Sequence, residues 1–410
     1  MAATRPTQSV SNTSNEVRGS DRVRFRAIVV SVLWALSFAQ PATAAEVQSL
    51  TLPDGYTIAP EGEHRLISVG RDGSIFAITS DIDEKRAHPR AARWIDSAGA
   101  EAFTPREIYP PPYPPYADAV VALDANDAYV TVSQTFAGAH IHTLYEIQRW
   151  ANGSTTRWMP PECVPRSDSG PHIFSIDADG RMAVTIDSSA GIIGVDFSNP
   201  RSVEHQLPIA VIVHGGNCKA MGRAILTAVD GNNVAGYRGY LDGRAAPWFV
   251  NVMAQKMVAV RWIGGREDDP GPGVPFAINR SGMAAGATAL PGHGGEFLYG
   301  NFFGPGGRYE YATPHAVAWS SDGTVIALTR NDTRSVAWDI SEDDTIVGTE
   351  QLHDGKHYAF RWQHGHIVRL DDLPHPAGWR FESAYAIARD GSIVGIGRLN
   401  GVPTAFIWRN

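Results

Sequence analysis

Ala384 to Asn410, the last stretch of the chain, reads AYAIARDGSIVGIGRLNGVPTAFIWRN. Apolar runs broken at Arg389-Asp390-Gly391 and Leu399-Asn400-Gly401 predict three short strands joined by tight turns, in which both central residues need positive φ. An earlier copy carries the same pieces, Val336 to Ile340, Thr345 to Gly348 and Tyr358 to Trp362, followed by a fourth, His366 to Leu370. Nothing after Asn410 supplies that fourth strand to the last copy. Far upstream, EVQSLTLPDGYTIAPEGEHRLISVGRDGS from Glu46 parallels HIVRLDDLPHPAGWRFESAYAIARDGS from His366. A repeat array whose two ends complement each other predicts a closed ring, with Val47 to Leu52 as the outermost strand of the last unit.

The units can be counted by their aromatic strand ends, Trp94, Trp150, Phe197, Trp262, Trp319, Trp362 and Trp408. Inner strands and their turns precede these as Val69 with Gly73, Leu123 with Asp127, Ile176 with Gly180, Val229 with Gly231, Ile278 with Gly282, Ile340 with Asp344 and Ile387 with Gly391. Seven units follow if Ser320 to Thr329 is the fourth strand of unit five, and eight if it starts a unit of its own. No helical periodicity of three and four residues occurs beyond the N-terminal region, so the expectation is an all-β, seven-bladed β-propeller, six to eight blades being the range. It forms one domain, residues 45–410, with its core shared between neighbouring repeats.

Residues 1–44 read differently. Arg22, Arg24 and Arg26 precede an apolar run from Ala27 to Ala39 and then Pro41-Ala42-Thr43-Ala44, the pattern of a signal peptide cut near Ala44 or Ala45. The run is short for a bilayer span, so no membrane span is expected after cleavage, and the destination is the periplasm or the outside. Removing this leader takes away five Arg and two acidic residues and leaves 30 basic against 41 acidic side chains, a formal charge of −11. That balance argues against nucleic acid and suits a basic surface, a cation or a neutral ligand such as a glycan. Cys163 and Cys218 are the only cysteines, and export predicts that they form a disulfide. Each precedes an inner strand, those of units three and four, which predicts comparable loops on adjacent blades.

From Ile340 to Trp362 and from Ile387 to Trp408 the order is Ile, a turn, Ile-Val-Gly, a Gly turn and Ala-Phe-x-Trp. This resembles the HAF-type extracellular repeat family, with His357-Tyr358-Ala359-Phe360-Arg361-Trp362 close to its signature and Thr404-Ala405-Phe406-Ile407-Trp408 lacking only the His. Other units keep little beyond the Trp, as in Ala91-Ala92-Arg93-Trp94 and His315-Ala316-Val317-Ala318-Trp319. The resemblance implies an exported bacterial repeat protein and carries over no catalytic residue.

Two stretches depart from the repeat. Pro110-Pro111-Pro112-Tyr113-Pro114-Pro115-Tyr116 cannot join a sheet and predicts a stiff lip that presents Tyr113 and Tyr116 for stacking on sugars or peptide, or else merely braces a long loop. Leu290 to Thr313 combines glycines with Tyr299, Phe302, Tyr309 and Tyr311, a second candidate contact surface whose alternative is a hairpin covering a blade edge. His353, His357, His364, His366 and His375 cluster late in the chain, but His364 and His366 supply two ligands where zinc needs three or four. Asp177-Ala178-Asp179-Gly180 opens like a calcium loop without the downstream ligands and reads as a turn. No Gly-x-Ser-x-Gly elbow is present. The sequence thus names no metal site, cofactor or catalytic set. It predicts a monomeric binding or interaction scaffold for a glycan or an envelope or extracellular protein. The alternative is a carbohydrate lyase or hydrolase working at the central channel.

Overall fold

The computed structural model describes residues 45–51, 56–58, 67–81, 90–94, 100–103, 116–137, 141–165, 170–186, 208–241, 244–245, 256–288, 314–330 and 333–409. These build seven small antiparallel sheets. Blade 1 combines Tyr56–Ile58 and Ile67–Val69 with Ile75–Asp81, Arg90–Trp94 and Ala100–Phe103; blade 2 runs from Tyr116–Asp124 to Ser154–Arg157, and blade 3 from Pro171–Ile176 to Asn217–Arg223. Blade 4 runs from Ile225–Asp230 to Arg266–Pro272, blade 5 from Val274–Ile278 to Val325–Ala327, and blade 6 from Arg334–Ile340 to His366–Arg369. Blade 7 holds Trp379–Ile387, Ile393–Leu399 and Val402–Arg409, and its fourth strand is Glu46–Leu50. That strand runs antiparallel to the last one, with Glu46 opposite Arg409, Val47 opposite Trp408 and Leu50 opposite Ala405. The ring is closed as the repeat predicts, and Val325–Ala327 is the outer strand of blade 5, so the count is seven.

The core is laid down between blades. Phe76 and Ile78 of blade 1 pack with Val120, Val130 and Trp150 of blade 2, and Ala277 and Met283 of blade 5 with Ile346, Phe360 and Trp362 of blade 6. All six of the counted tryptophans are buried. Small residues in the second strand follow from this crowding. Each inner strand of blades 4 to 7 carries a register shift, and the glycine beside it leaves room for the bulged carbonyl. A Cβ on Gly348 would lie 2.2 Å from the Val336 carbonyl oxygen and 2.5 Å from the Phe360 ring. Gly395 makes the same approach to Ser383 and Phe406, which explains why Ile-Val-Gly recurs with Ala-Phe-x-Trp.

Turn chemistry splits into two kinds. At Asn400-Gly401 both residues have positive φ, 52° and 84°. At Arg389-Asp390-Gly391 only the glycine does, because the Asp390 carboxylate accepts the Ser392 N–H at 2.9 Å and stabilises a wider turn.

Blades 1 to 7 are joined in series by polar links from inner strands, second strands and turns. Ala122 N–H donates to Ser68 Oγ at 3.0 Å, Ile173 N–H to Thr131 Oγ1 at 3.1 Å and Val229 N–H to Ser175 Oγ at 3.1 Å. Asn233 Nδ2 donates to the Asn279 carbonyl at 3.1 Å, Asn279 Nδ2 to Asp344 Oδ1 at 2.7 Å and Ile387 N–H to Asp339 Oδ2 at 3.0 Å.

Two expectations need correction. The third strand of blade 3 is Ile209–His214, not a run ending at Phe197, which lies outside the described residues. Its end is set by Gly215 and Gly216, both at positive φ. The turn sends Asn217–Arg223 back as the outer strand, so Cys218 sits in that strand while Cys163 lies in the connection between blades 2 and 3. They do form the predicted disulfide. Its ends are not comparable loops on adjacent blades, because the misplaced strand end had displaced the frame. The signal-peptide residues 1–44 lie outside the described residues, and among those described no helix is long and apolar enough to cross a membrane.

Candidate functional site at the axial cup

The innermost strand of every blade brings its C-terminal end to one mouth of the ring. There the ends and their turns enclose a cavity of about 440 Å³, within the usual range for small-molecule sites. Its walls are apolar where strands face the axis, as at Ile67, Val121, Ile176 and Val229, and charged where the chain turns. A register of equivalent turn positions carries Asp124, Asp177 and Asp230 on blades 2 to 4 and Asn279 on blade 5. Beyond the apolar wall, Phe276, Trp338 and Tyr385 form a continuous aromatic tier, with ring centroids 5.0 and 5.6 Å apart.

The lining includes six carboxylates, Asp177, Asp230, Asp339, Glu342, Asp343 and Asp390, against two guanidiniums, Arg71 and Arg389. Several are committed to holding the fold. Asp177, with a side chain 1% exposed, accepts from Gly231 N–H and Arg181 Nη1, each at 3.0 Å. Asp343 accepts the Gln363 amide at 3.2 Å, and Asp339 holds blade 7 as described. Arg71 bonds Asp124 at 2.7 Å and reaches the Ala178 carbonyl at 3.4 Å.

A different arrangement surrounds Arg280. Its Nε lies 3.3 Å from Asp230 Oδ1 and 3.4 Å from Glu342 Oε1, and its Nη2 lies 3.9 Å from Asp179 Oδ2. One guanidinium thus serves three carboxylates from three blades. Burial pushes the Asp230 carboxyl up to about 6, and the Glu342 charge and a hydrogen bond to Glu342 add to the effect, while Arg280 opposes it. The Asp179 carboxyl is held below its ordinary value chiefly by Arg181. This cluster can attract a cation, donate a proton from Asp230 near neutral pH, or accept one.

The candidates singled out from sequence lie elsewhere. Tyr116 begins the innermost strand of blade 2, at the end opposite Asp124, and so on the face away from the cup. Thr288 and His315, the strand ends flanking the 289–313 insertion, pair with one another at that same far face. The two stretches therefore leave from one face. Tyr113, Tyr299, Phe302, Tyr309 and Tyr311 themselves lie outside the described residues. Asp177 and Asp179 are drawn together by Arg181, as a turn. Among the described residues no group of three or more His, Cys, Asp or Glu is placed to hold a metal ion. Sequence reasoning missed Asp230, Arg280, Glu342 and Arg389. The available signal was charge recurring at one turn position across the units.

The ring and its axial recess define the class, a seven-bladed β-propeller. No family profile and no curated protein matches the chain. Among solved structures it is similar to the β-propeller domain of the Trilobed protease from Pyrococcus furiosus, at 9% identity over 89% of this chain and 96% of that one, with a TM-score of 0.47. It is also similar to a chain of a mitotic checkpoint complex, at 11% identity over 98% and 99%, with a TM-score of 0.46.

Proposed function

We propose that this protein is an exported β-propeller that acts as a monomeric binding module, with the axial cup as its ligand site. The observation that carries the reading is the excess of carboxylates over guanidiniums around a recess built by all seven blades. A concave site with low-dielectric walls focuses such a charge, so the ligand is a small polar molecule presenting a cationic group. An amino sugar or a basic side chain of an envelope or extracellular protein has that chemistry. Export, to the periplasm or beyond, is supported by the Cys163–Cys218 bond, by the leader pattern and by the HAF-type strands.

A second reading is favoured by Asp230 alone. A carboxyl pushed up to about 6 beside a second carboxylate in a cavity is the arrangement used for general acid–base chemistry, which would make the protein a carbohydrate lyase or hydrolase.

The test is a thermal-shift titration of the chain from Ala45 with neutral, acidic and amino sugars and with amines. A ligand at a hundred times its dissociation constant adds about 2.7 kcal/mol of apparent stability. The expected result is a saturable shift with amine-bearing ligands that is lost in Glu342→Gln. Equal response to neutral and amino sugars would sink the electrostatic reading, and turnover of a shifting glycan would favour the enzyme.

A further inference from the structure

The cup is acidic overall, with guanidiniums at two positions that face a carboxylate across the axis. In a closed ring of seven blades, blade 4 stands three steps from both blade 1 and blade 7, directly across the axis. Blade 4 contributes Asp230 to the lining, blades 1 and 7 contribute Arg71 and Arg389, and blades 6 and 7 add Asp339, Glu342, Asp343 and Asp390. The two guanidiniums differ in their commitments. Arg71 is bound to Asp124 at 2.7 Å. Arg389 is exposed at the tip of its turn, lines the cavity and makes no hydrogen bond or ion pair among the described residues. An uncommitted guanidinium at the rim of a cavity is a ready fork for a carboxylate.

Resting on the binding reading above, we infer that the ligand of the cup is zwitterionic, its carboxylate held by Arg389 and its ammonium group by Asp230 on the opposite side. Simple cations would pair with the carboxylates and leave Arg389 unused. Simple anions would be repelled by the net charge of the lining. A molecule carrying both groups satisfies each end, and the apolar walls accommodate the body between them. Free amino acids, short peptides with open termini and carboxylated amino sugars share this chemistry.

Isothermal titration of the intact ring distinguishes these sources and tests the inference. The probes are Ala-Ala, its acetylated and its amidated forms, glucosamine and muramic acid. Binding of Ala-Ala or muramic acid is expected, with each block or the missing carboxylate weakening it at least tenfold. Arg389→Gln is expected to abolish the preference for a free carboxylate over the amide and to keep the preference for a free amine. Asp230→Asn is expected to do the reverse. Both changes lie in turns at the mouth, and an unchanged melting profile of Arg389→Gln shows that the ring is intact. If amine-only probes bind as tightly as zwitterions and Arg389→Gln changes nothing, the inference is overturned while the binding reading stands. If no probe binds, both fall.

Discussion

Arg261 in blade 4 is fully buried and donates to the Ser320 carbonyl of blade 5 at 2.6 Å. The same guanidinium reaches the carbonyls of Trp319 and Gly282 at 3.1 and 3.2 Å and the Asp268 carboxylate at 2.5 Å. A charge is therefore the rivet between these two blades. Arg93, at the equivalent place before Trp94, donates to the Ala125 carbonyl of blade 2 and lies 4.3 Å over the Trp150 ring.

Removing the rivet takes a donor from the Trp319 and Gly282 carbonyls and from the Asp268 carboxylate, while the Ser320 carbonyl keeps the Gly323 N–H at 2.9 Å. Arg261→Met is expected to lower stability by about 3 kcal/mol, and Arg261→Lys by somewhat less, since an ammonium cannot reproduce the fork. Urea unfolding followed by tryptophan fluorescence checks this. A loss below about 1 kcal/mol for Arg261→Met would show that the buried charge is dispensable.

Ring closure rests on a short strand with one deeply buried anchor. Leu50 is 3% exposed and packs in a cluster that includes Val394, Ala405 and Ile407 of blade 7. Leu50→Ala is expected to cost about 3 kcal/mol. Deleting Glu46 to Leu50 bares the edge of Val402–Arg409, and size-exclusion chromatography is expected to show self-association. A deletion variant that stays monomeric with an unchanged melting temperature would refute the closure role.

The Cys163–Cys218 bond spans a sequence separation of 55 residues. Loop entropy assigns such a link about 4 kcal/mol. The double Ser variant is expected to unfold at lower denaturant by a corresponding amount, with loss beginning in blade 3. Hydrogen exchange that shows uniform loosening would contradict the second part.

Stability near the cup has a definite pH sign. The Asp230 carboxyl faces Glu342 and Arg280, whose guanidinium also reaches Asp179, and its value of about 6 lies above the ordinary 3.8. The folded state therefore binds this proton more tightly than the unfolded chain does. Its contribution is fully present below about pH 4 and is lost as pH rises through 6. Asp230→Asn, permanently neutral, is expected to be more stable than the parent by about 1 kcal/mol at pH 8, after solvent screening, and no more stable at pH 4. Denaturant midpoints at the two pH values test this, and a less stable Asn variant at pH 8 would show that the Arg280 pairing outweighs burial.

Much of the fold was legible because the repeat marks itself. Tryptophans fall where third strands end, Asp-Gly falls where inner strands turn, and the Glu46 stretch matches the His366 stretch it imitates in the ring. Blade 3 was misjudged because its third strand ends in His214, with no aromatic marker, before an unusually obvious Gly-Gly turn. The cup was harder to see. Arg280 and Asp230 are 50 residues apart, and Arg280 and Glu342 are 62 apart, so only the closed ring brings their turns together. The aromatic stretches stand out instead, because large aromatic residues are conspicuous in a string while a shared mouth is not.

Since every innermost strand points the same way, the connections sort themselves by side. Short hairpins surround the charged recess, whereas the links from Asp81 to Arg90, Ile186 to Ile209 and Thr288 to His315 all belong to the other rim. Length can thus be added or swapped on that rim while the geometry around Asp230 and Arg389 stays as it is. One support thus separates reach from recognition, the first set by chain length on one rim and the second by the meeting of seven strand ends on the other.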